Sequence, residues 1–339
     1  MQYPAKYIRH TARKFAALLF LVFLSSVLSM TGCSEREPYR ETRLLFDTYC
    51  EITIPGNENN AGQAADKAFK KMAEIETKFN VHDKKSILYR FNHERINVND
   101  NEIIDVMKKA LKIGSESSGA FDPTVYRLSE LWGFYGDSPG MPDEKSIIEI
   151  LKITDSRKIA VEDGILKTAE PGVMIDLGGI VKGYAVDEAV RVIRQAGFNN
   201  ALVNAGGDLY AMGKISKKPW RVGIKDPSRD SIMGIIEVSD TAVVTSGDYE
   251  RFFIKNGIRY HHILDPGTGY PAKGVQSVTV LCPEAADADA WATAVFVLGA
   301  DKGMKAIDGK KGFEAIIIDS DGNIVTSNGL RERIKWINR

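Results

Sequence analysis

The sequence predicts an α+β protein, a single domain in which helices and strands interleave without the strict strand–helix–strand alternation of a doubly wound sheet. Three observations support this. Apolar residues recur at helical spacing over 61–79, about 100–117 and 181–196. Beyond residue 200, short β-rich runs separated by turn residues take over. No fixed-period repeat, low-complexity tract or linker interrupts the chain after its N-terminal segment. At 339 residues, 44% hydrophobic and 27% charged, the chain has enough apolar material for one large core or two moderate ones. Its 45 acidic and 45 basic residues balance, which leaves no overall basic footprint for a nucleic acid.

Residues 1–32 read as a targeting segment. Lys6, Arg9, Arg13 and Lys14 make a positive start, 15–28 is an apolar run short for a membrane span, and Met30-Thr31-Gly32-Cys33 follows. This resembles a bacterial lipoprotein signal, in which cleavage before Cys33 leaves that thiol to carry palmitate and anchor the chain to a membrane. An ordinary secretory peptide or an uncleaved anchor is the alternative. Either way the mature domain is expected outside the cytoplasm, on the periplasmic side in a double-membrane bacterium. Ser34 in place of Asp points there to the outer membrane. Residues 33–43 are then a tether and 44–339 the folded domain.

Within that domain, 44–54 alternates as a strand, and 61–79 is a helix with Ala65, Ala68, Met72, Ile75 and Phe79 on one side. Residues 80–92 read as polar and irregular. A helix over 100–117 has Asn99 as its expected N-cap, paired with Glu102 in a capping box. A loop at 118–124, a short helix at 143–153 and a hairpin turning at Asp163-Gly164 follow. Residues 175–187 read as a strand end, a glycine turn and a helix start, the helix stopping at Gly197. Strands are expected at 201–204, 209–212, 220–224, 232–238, 242–245, 277–282, 315–318 and 324–327, with a helix at 287–298. Cys50 and Cys282 fall in apolar strand-like runs, where a buried, inert thiol is the default and a disulfide the alternative.

The 175–187 stretch suits a phosphate, because a helix N-terminus led by glycines offers free N–H groups and the positive end of the helix dipole. It matches neither common phosphate signature. Gly178, Gly179 and Gly183 do not make G-x-G-x-x-G, and Tyr184 follows Gly183 where a P-loop has Lys. A plain tight turn is the alternative. Asp289 and Thr293, four apart on a helix, share a face, and a carboxylate with a hydroxyl suits Mg²⁺. Without a metal, Asp287 and Asp289 would simply complement the helix dipole. His262, before Asp265-Pro266, has the chemistry of a general base, though a lone histidine beside a strand is often structural.

Taken together, 176–187 (DLGGIVKGYAVD), 204–208 (NAGGD), 245–249 (TSGDY), 262–269 (HILDPGTG) and 288–293 (ADAWAT) resemble, in order, the motifs of the ApbE family of FAD:protein FMN transferases. Gly119-Ala120-Phe121-Asp122-Pro123 and Trp132-Gly133-Phe134 match its N-terminal half. The resemblance implies an α+β fold related to a duplicated tunnelling-type fold. It implies Mg²⁺-dependent transfer of FMN from FAD to a Thr or Ser hydroxyl of a partner protein, a membrane electron-transfer subunit, with release of AMP. By the same resemblance, Asp289, Thr293 and a main-chain oxygen at Gly179 hold the metal. Phe46, His82, Ala120, Phe121, Asp122, Asp176, Lys182 and Leu264 contact FAD, and His262 is the base.

Three departures from the family pattern stand out. Phe46-Asp47-Thr48 stands where the family often has Met-Gly-Thr, His82 where members commonly place a Tyr that packs on the cofactor, and Lys182 at a position that is acidic in some members, where it could instead pair with phosphate. They keep two alternatives open: an Mg²⁺-dependent FAD pyrophosphatase, and a flavin-binding lipoprotein without turnover.

Overall fold

The computed structural model describes residues 37–337. The segment read as a signal, Cys33 and the start of the stretch read as a tether lie outside the described residues. The elements are β1 (Tyr39–Leu45), β2 (Thr48–Ile54), α1 (Glu58–Phe79), α2 (Ile87–Glu94), α3 (Asn101–Glu116), α4 (Tyr126–Leu131), α5 (Glu144–Leu151), β3 (Ile159–Glu162), β4 (Ile165–Thr168) and α6 (Gly178–Gln195). Then come β5 (Ala201–Ala205), β6 (Asp208–Met212), β7 (Trp220–Lys225), β8 (Ile232–Val238), β9 (Thr241–Gly247), β10 (Phe252–Lys255), β11 (Ile258–His261), β12 (Val275–Cys282), α7 (Ala285–Asp308), β13 (Glu314–Asp319), β14 (Ile324–Thr326) and β15 (Ile334–Trp336).

An eight-stranded antiparallel sheet, ordered β1-β2-β5-β6-β9-β12-β13-β14, forms the centre. Because side chains alternate along a strand, it feeds two cores. Val203, Tyr210, Val244, Val280 and Ile317 join the larger core under α1, α3, α6 and α7. Leu209, Ala211, Val243, Leu281 and Ile316 face the three-stranded sheet β15-β8-β7 on the other side. Coverage on both faces explains why the central strands read as nearly continuous apolar runs.

Several expectations are corrected. The 44–54 stretch is a hairpin: Phe46 and Asp47 take φ of 53° and 56°, a two-residue turn whose twist suits the flanking strands. β1 begins at Tyr39, inside the stretch read as tether. Asp100, not Asn99, caps α3, its carboxylate accepting from Ile103 N at 3.0 Å. Part of the segment read as irregular is α2, capped by Ser86. The strand end expected at 175–177, just before α6, is not formed. There the Asn92 side chain takes a strand's place, accepting from Ile175 N and donating to Ile175 O, both at 2.8 Å. α6 itself starts at Gly178, so the glycines form its first turn. Its end is as read: Gly197 has φ 90°, and Phe198 N donates to Ile193 O. The 287–298 helix extends to Asp308, across a break at Gly299. Cys50 and Cys282 are buried free thiols, their pKa values raised by burial.

Candidate active site

Every residue singled out as a site candidate within 37–337 lines one cavity of about 330 Å³. Phe46 comes from the β1–β2 turn and His82 from just beyond α1. Ala120, Phe121 and Asp122 lie between α3 and α4, and Asp176, Gly179 and Lys182 at the start of α6. His262 and Leu264 follow β11, and Asp289 and Thr293 project from α7.

One wall is the crossing of α6 and α7. A Cβ on Gly183 would lie 2.2 Å from the Ala285 carbonyl oxygen, so only glycine lets the helices approach this closely. One turn further along α6, both oxygens of Asp187 accept the first free N–H groups of α7, Ala285 N at 2.8 Å and Ala286 N at 2.9 Å. Residue 284 contributes no side-chain cap, so Asp187 does that work from the neighbouring helix. The crossing places two i,i+4 pairs against each other. Asp289 Oδ2 accepts from Gly183 N at 3.1 Å, and a Cβ on Gly179 would stand 3.5 Å from Thr293 Oγ1.

This wall carries unbalanced charge. Asp289 is 4% exposed, and burial, then the nearby Asp208, pushes its carboxyl up to about 8. Burial also raises Glu250. Lys182 Nζ lies 2.5 Å from Asp208 Oδ2, and the attraction of Asp208, Asp289 and Glu250 outweighs burial and holds its pKa above the usual lysine range. Among the described residues, no hydrogen bond is seen to Asp289 Oδ1, and Thr293 Oγ1 meets only Ser246 Oγ at 3.5 Å. No group of three or more His, Cys, Asp or Glu is poised for a metal among the described residues. A hard cation that completes its shell with backbone, water and phosphate oxygens nevertheless fits this donor set.

His262 enters the same cavity from the chain just beyond β11. Its backbone N donates to Arg251 O at 3.0 Å, and its Nδ1 lies 3.3 Å from the same oxygen. A carbonyl only accepts, so Nδ1 carries the proton and Nε2 keeps its lone pair. Burial, followed by the charge of Arg251, lowers the imidazole to about 3, which leaves it neutral at physiological pH. The adjacent His261 is structural: its Nε2 meets Ala272 O at 2.9 Å and its ring packs edge-on against Phe296.

Residues 46–317 match the sequence profile of the ApbE family. The chain belongs to the ApbE family. It is 31% identical to the FAD:protein FMN transferase of Treponema pallidum (strain Nichols), over 94% of each chain. The enzyme of that name from Vibrio cholerae is also 31% identical, over 89% of this chain and 94% of its own. Among solved structures, the ApbE protein of Thermotoga maritima superposes with a TM-score of 0.83 at 37% identity, covering 88% of this chain and 99% of its own. The flavin transferase ApbE from Vibrio cholerae gives 0.78 at 27%, over 88% and 99%.

The places where this ApbE chain departs from the family pattern acquire a geometry. Phe46 sits at the hairpin tip, its N–H donating to Glu76 Oε1 on α1 at 2.5 Å. The His82 ring packs edge-on against Tyr135 with centroids 4.6 Å apart, and the Tyr135 hydroxyl donates to Asp176. Lys182, read as a phosphate partner, is already paired with Asp208. The Asp122 carboxylate is also occupied: Oδ1 accepts from Thr124 N and Oγ1, and Oδ2 from Ser156 N. It therefore shapes the loop that presents Ala120 and Phe121. Sequence reading missed Glu76, Tyr135, Asp208, Glu250 and Arg251 as cavity residues. Asp208 and Tyr135 stood within or beside motifs already noted and could have been found; nothing local marks Glu76.

Proposed function

We propose that this ApbE protein transfers FMN from FAD to a Thr or Ser hydroxyl of an extracytoplasmic partner protein and releases AMP. The observation that carries the reading is that two sets of groups line one cavity. Asp289 and Thr293 lie one helical turn apart beside Gly179, in the same cavity as a neutral histidine whose Nδ1 faces Arg251 O. The activity named for the relatives, FAD:protein FMN transfer, supports it. Asp289, Thr293 and a main-chain oxygen at Gly179 would hold Mg²⁺. When bound there, the ion supplies positive charge to the two phosphates of FAD.

The chain's own groups account for the remaining steps. His262 Nε2 takes the proton of the acceptor hydroxyl, whose oxygen attacks the phosphorus on the FMN side. The bond from that phosphorus to the bridging oxygen breaks, and the electron pair leaves with AMP. The product is a phosphoester, and no protein nucleophile is needed. Ala120, Phe121 and Leu264 supply apolar contact, and Asp176, steadied by Tyr135, offers an acceptor for FAD. A lipid on Cys33 would keep the domain at a membrane, within reach of a membrane electron-transfer partner.

Incubating the domain with FAD, Mg²⁺ and peptides bearing Thr or Ser tests the reading by mass spectrometry. A peptide gaining the mass of FMN, with the gain abolished by chelator, is the expected result. Free FMN and AMP alone would assign an FAD pyrophosphatase, and intact FAD a binding protein.

A further inference from the structure

Nine large apolar side chains stand exposed among the described residues, and five of them, Leu44, Tyr49, Phe252, Ile254 and Ile258, lie on two hairpins. Both hairpins frame the cavity. Phe46 and Asp47 are the tip of β1–β2, while Glu250 and Arg251 lead into β10–β11 and His262 leads out of it. Exposed apolar surface gathered beside a reaction site marks a place where another surface comes to rest.

The β10–β11 hairpin has the form of a dock. Its two strands pair with each other and with no third strand among the described residues, so their outer backbone groups are available to a partner. Phe253 and Tyr260 stack 5.2 Å apart and pack on Trp132, which fixes the hairpin to the body of the protein. Ile254 and Ile258, at its outer end, are 64% and 57% exposed. Arg259 pairs with Asp248 and lies over the Phe252 ring, so the face beside Ile254 is ordered rather than loose.

We infer that this hairpin receives the acceptor protein. The acceptor's flavin-bearing segment lies extended along β10–β11 as an added strand, with apolar side chains against Phe252, Ile254 and Ile258 and its hydroxyl residue at the hairpin base beside His262. The inference rests on the transferase reading and names the surface that reading requires. From the row of Ile254 to the row of Arg251 and His262 is three residues, or about 10 Å of strand. An apolar side chain is therefore expected roughly three positions from the hydroxyl. A lipid surface is the poorer occupant. Seated here it would cover the cavity through which FAD enters, and the neighbouring β1 presents Arg40, Glu41 and Arg43, charges of both signs that are costly to take out of water.

The test uses a peptide pool with a central Thr and randomised flanks, offered with FAD and Mg²⁺ to the wild type and to the double variant Ile254→Glu/Ile258→Glu. Both positions are exposed, so the fold is retained, and FAD affinity measured by fluorescence should not change. Wild-type protein should label peptides enriched in apolar residues near the third position from Thr. The variant should lose that enrichment and label the same peptides about tenfold less efficiently, through KM. Identical selection by the two proteins would overturn the inference. So would wild-type binding to phosphatidylglycerol vesicles that the variant loses while peptide selection stays unchanged, an outcome that assigns the hairpin to a membrane. If the wild type labels no peptide at all, the transferase reading has failed and the dock falls with it.

Discussion

The two walls of the cavity are built on opposite principles. The helix wall is buried and locked by backbone: Gly183 lets α6 touch the Ala285 carbonyl, Asp187 ties the start of α7, and Asp289 is pinned to Gly183 N. The hairpin wall hangs from strand ends, with exposed Leu44, Tyr49, Ile254 and Ile258 around it and His262 held through Arg251 O. The difference separates two tasks. A site that grips a small, highly charged pyrophosphate benefits from donors that cannot move, whereas a site that admits a protein segment needs a surface left open. Substitutions on the helix wall should therefore couple activity to stability, and substitutions on the hairpin wall should not.

The largest effect is expected at Asp289. Asp289→Ala removes a buried carboxylate that has an oxygen to spare beside Thr293, and turnover should fall by about a thousandfold or more. Far-ultraviolet circular dichroism should be unchanged, and chelator should cost the wild type as much. Full activity of the variant in chelator would remove the metal from the argument.

His262→Gln tests the hairpin wall. Its kcat should drop by about a hundredfold, within the usual range for a lost general base, while melting temperature at neutral pH stays close to wild type. The imidazole also leaves a signature in acid. Unfolded, it titrates near 6.5; folded, near 3. Between those values the unfolded chain binds the extra proton, so this group's contribution to stability is present above pH 6.5 and is lost as pH falls toward about 3. Denaturant titrations across that window should show wild type losing stability relative to His262→Gln as pH drops. Parallel curves would mean the histidine is not held neutral.

Gly183→Ala probes the helix wall without touching a reacting group. The added methyl meets backbone rather than a movable side chain, so the helices must part, and a loss of about 1–3 kcal/mol is expected by thermal or urea unfolding. Activity should fall with it, because Asp289 and Thr293 ride on the displaced helix. An unaffected melt would show the crossing to be looser than its contacts imply.

The same contrast explains what the sequence discloses. The helix wall was legible because its pairs are local: Gly179 with Gly183 and Asp289 with Thr293 are both four apart, a spacing that any helix turns into a shared face. Not visible was that the two pairs meet, since that contact spans about a hundred residues of chain. The hairpin wall was read less well, for two different reasons. Asn256-Gly257, with φ of 52° and 77°, carries the same kind of short-range hairpin signal as Asp163-Gly164, and β10–β11 was recoverable from it. Phe46-Asp47 carries none, because the turn is imposed on residues that rarely adopt it, and Glu76, 30 residues away, receives the Phe46 N–H.

The smallest expected effect concerns α3, which packs behind the helix wall and sends Lys109 to Glu284 and Asp287 at the start of α7. A capping box needs its Ser, Thr, Asp or Asn three residues before a Glu, and Asn99 with Glu102 satisfies that pattern. Glu102, however, is drawn away to Lys71 and Lys78, each at 2.6 Å. It is then not free to reach back to residue 99, and the helix begins one residue later, on Asp100, which also pairs with Lys78 at 2.9 Å. Asp100→Ala should therefore cost about 1 kcal/mol in unfolding free energy, whereas Asn99→Ala should cost close to nothing. Neither should alter kcat, because α3 braces the wall from outside. Equal losses from the two variants would restore the capping box and remove the tertiary reason offered for its failure.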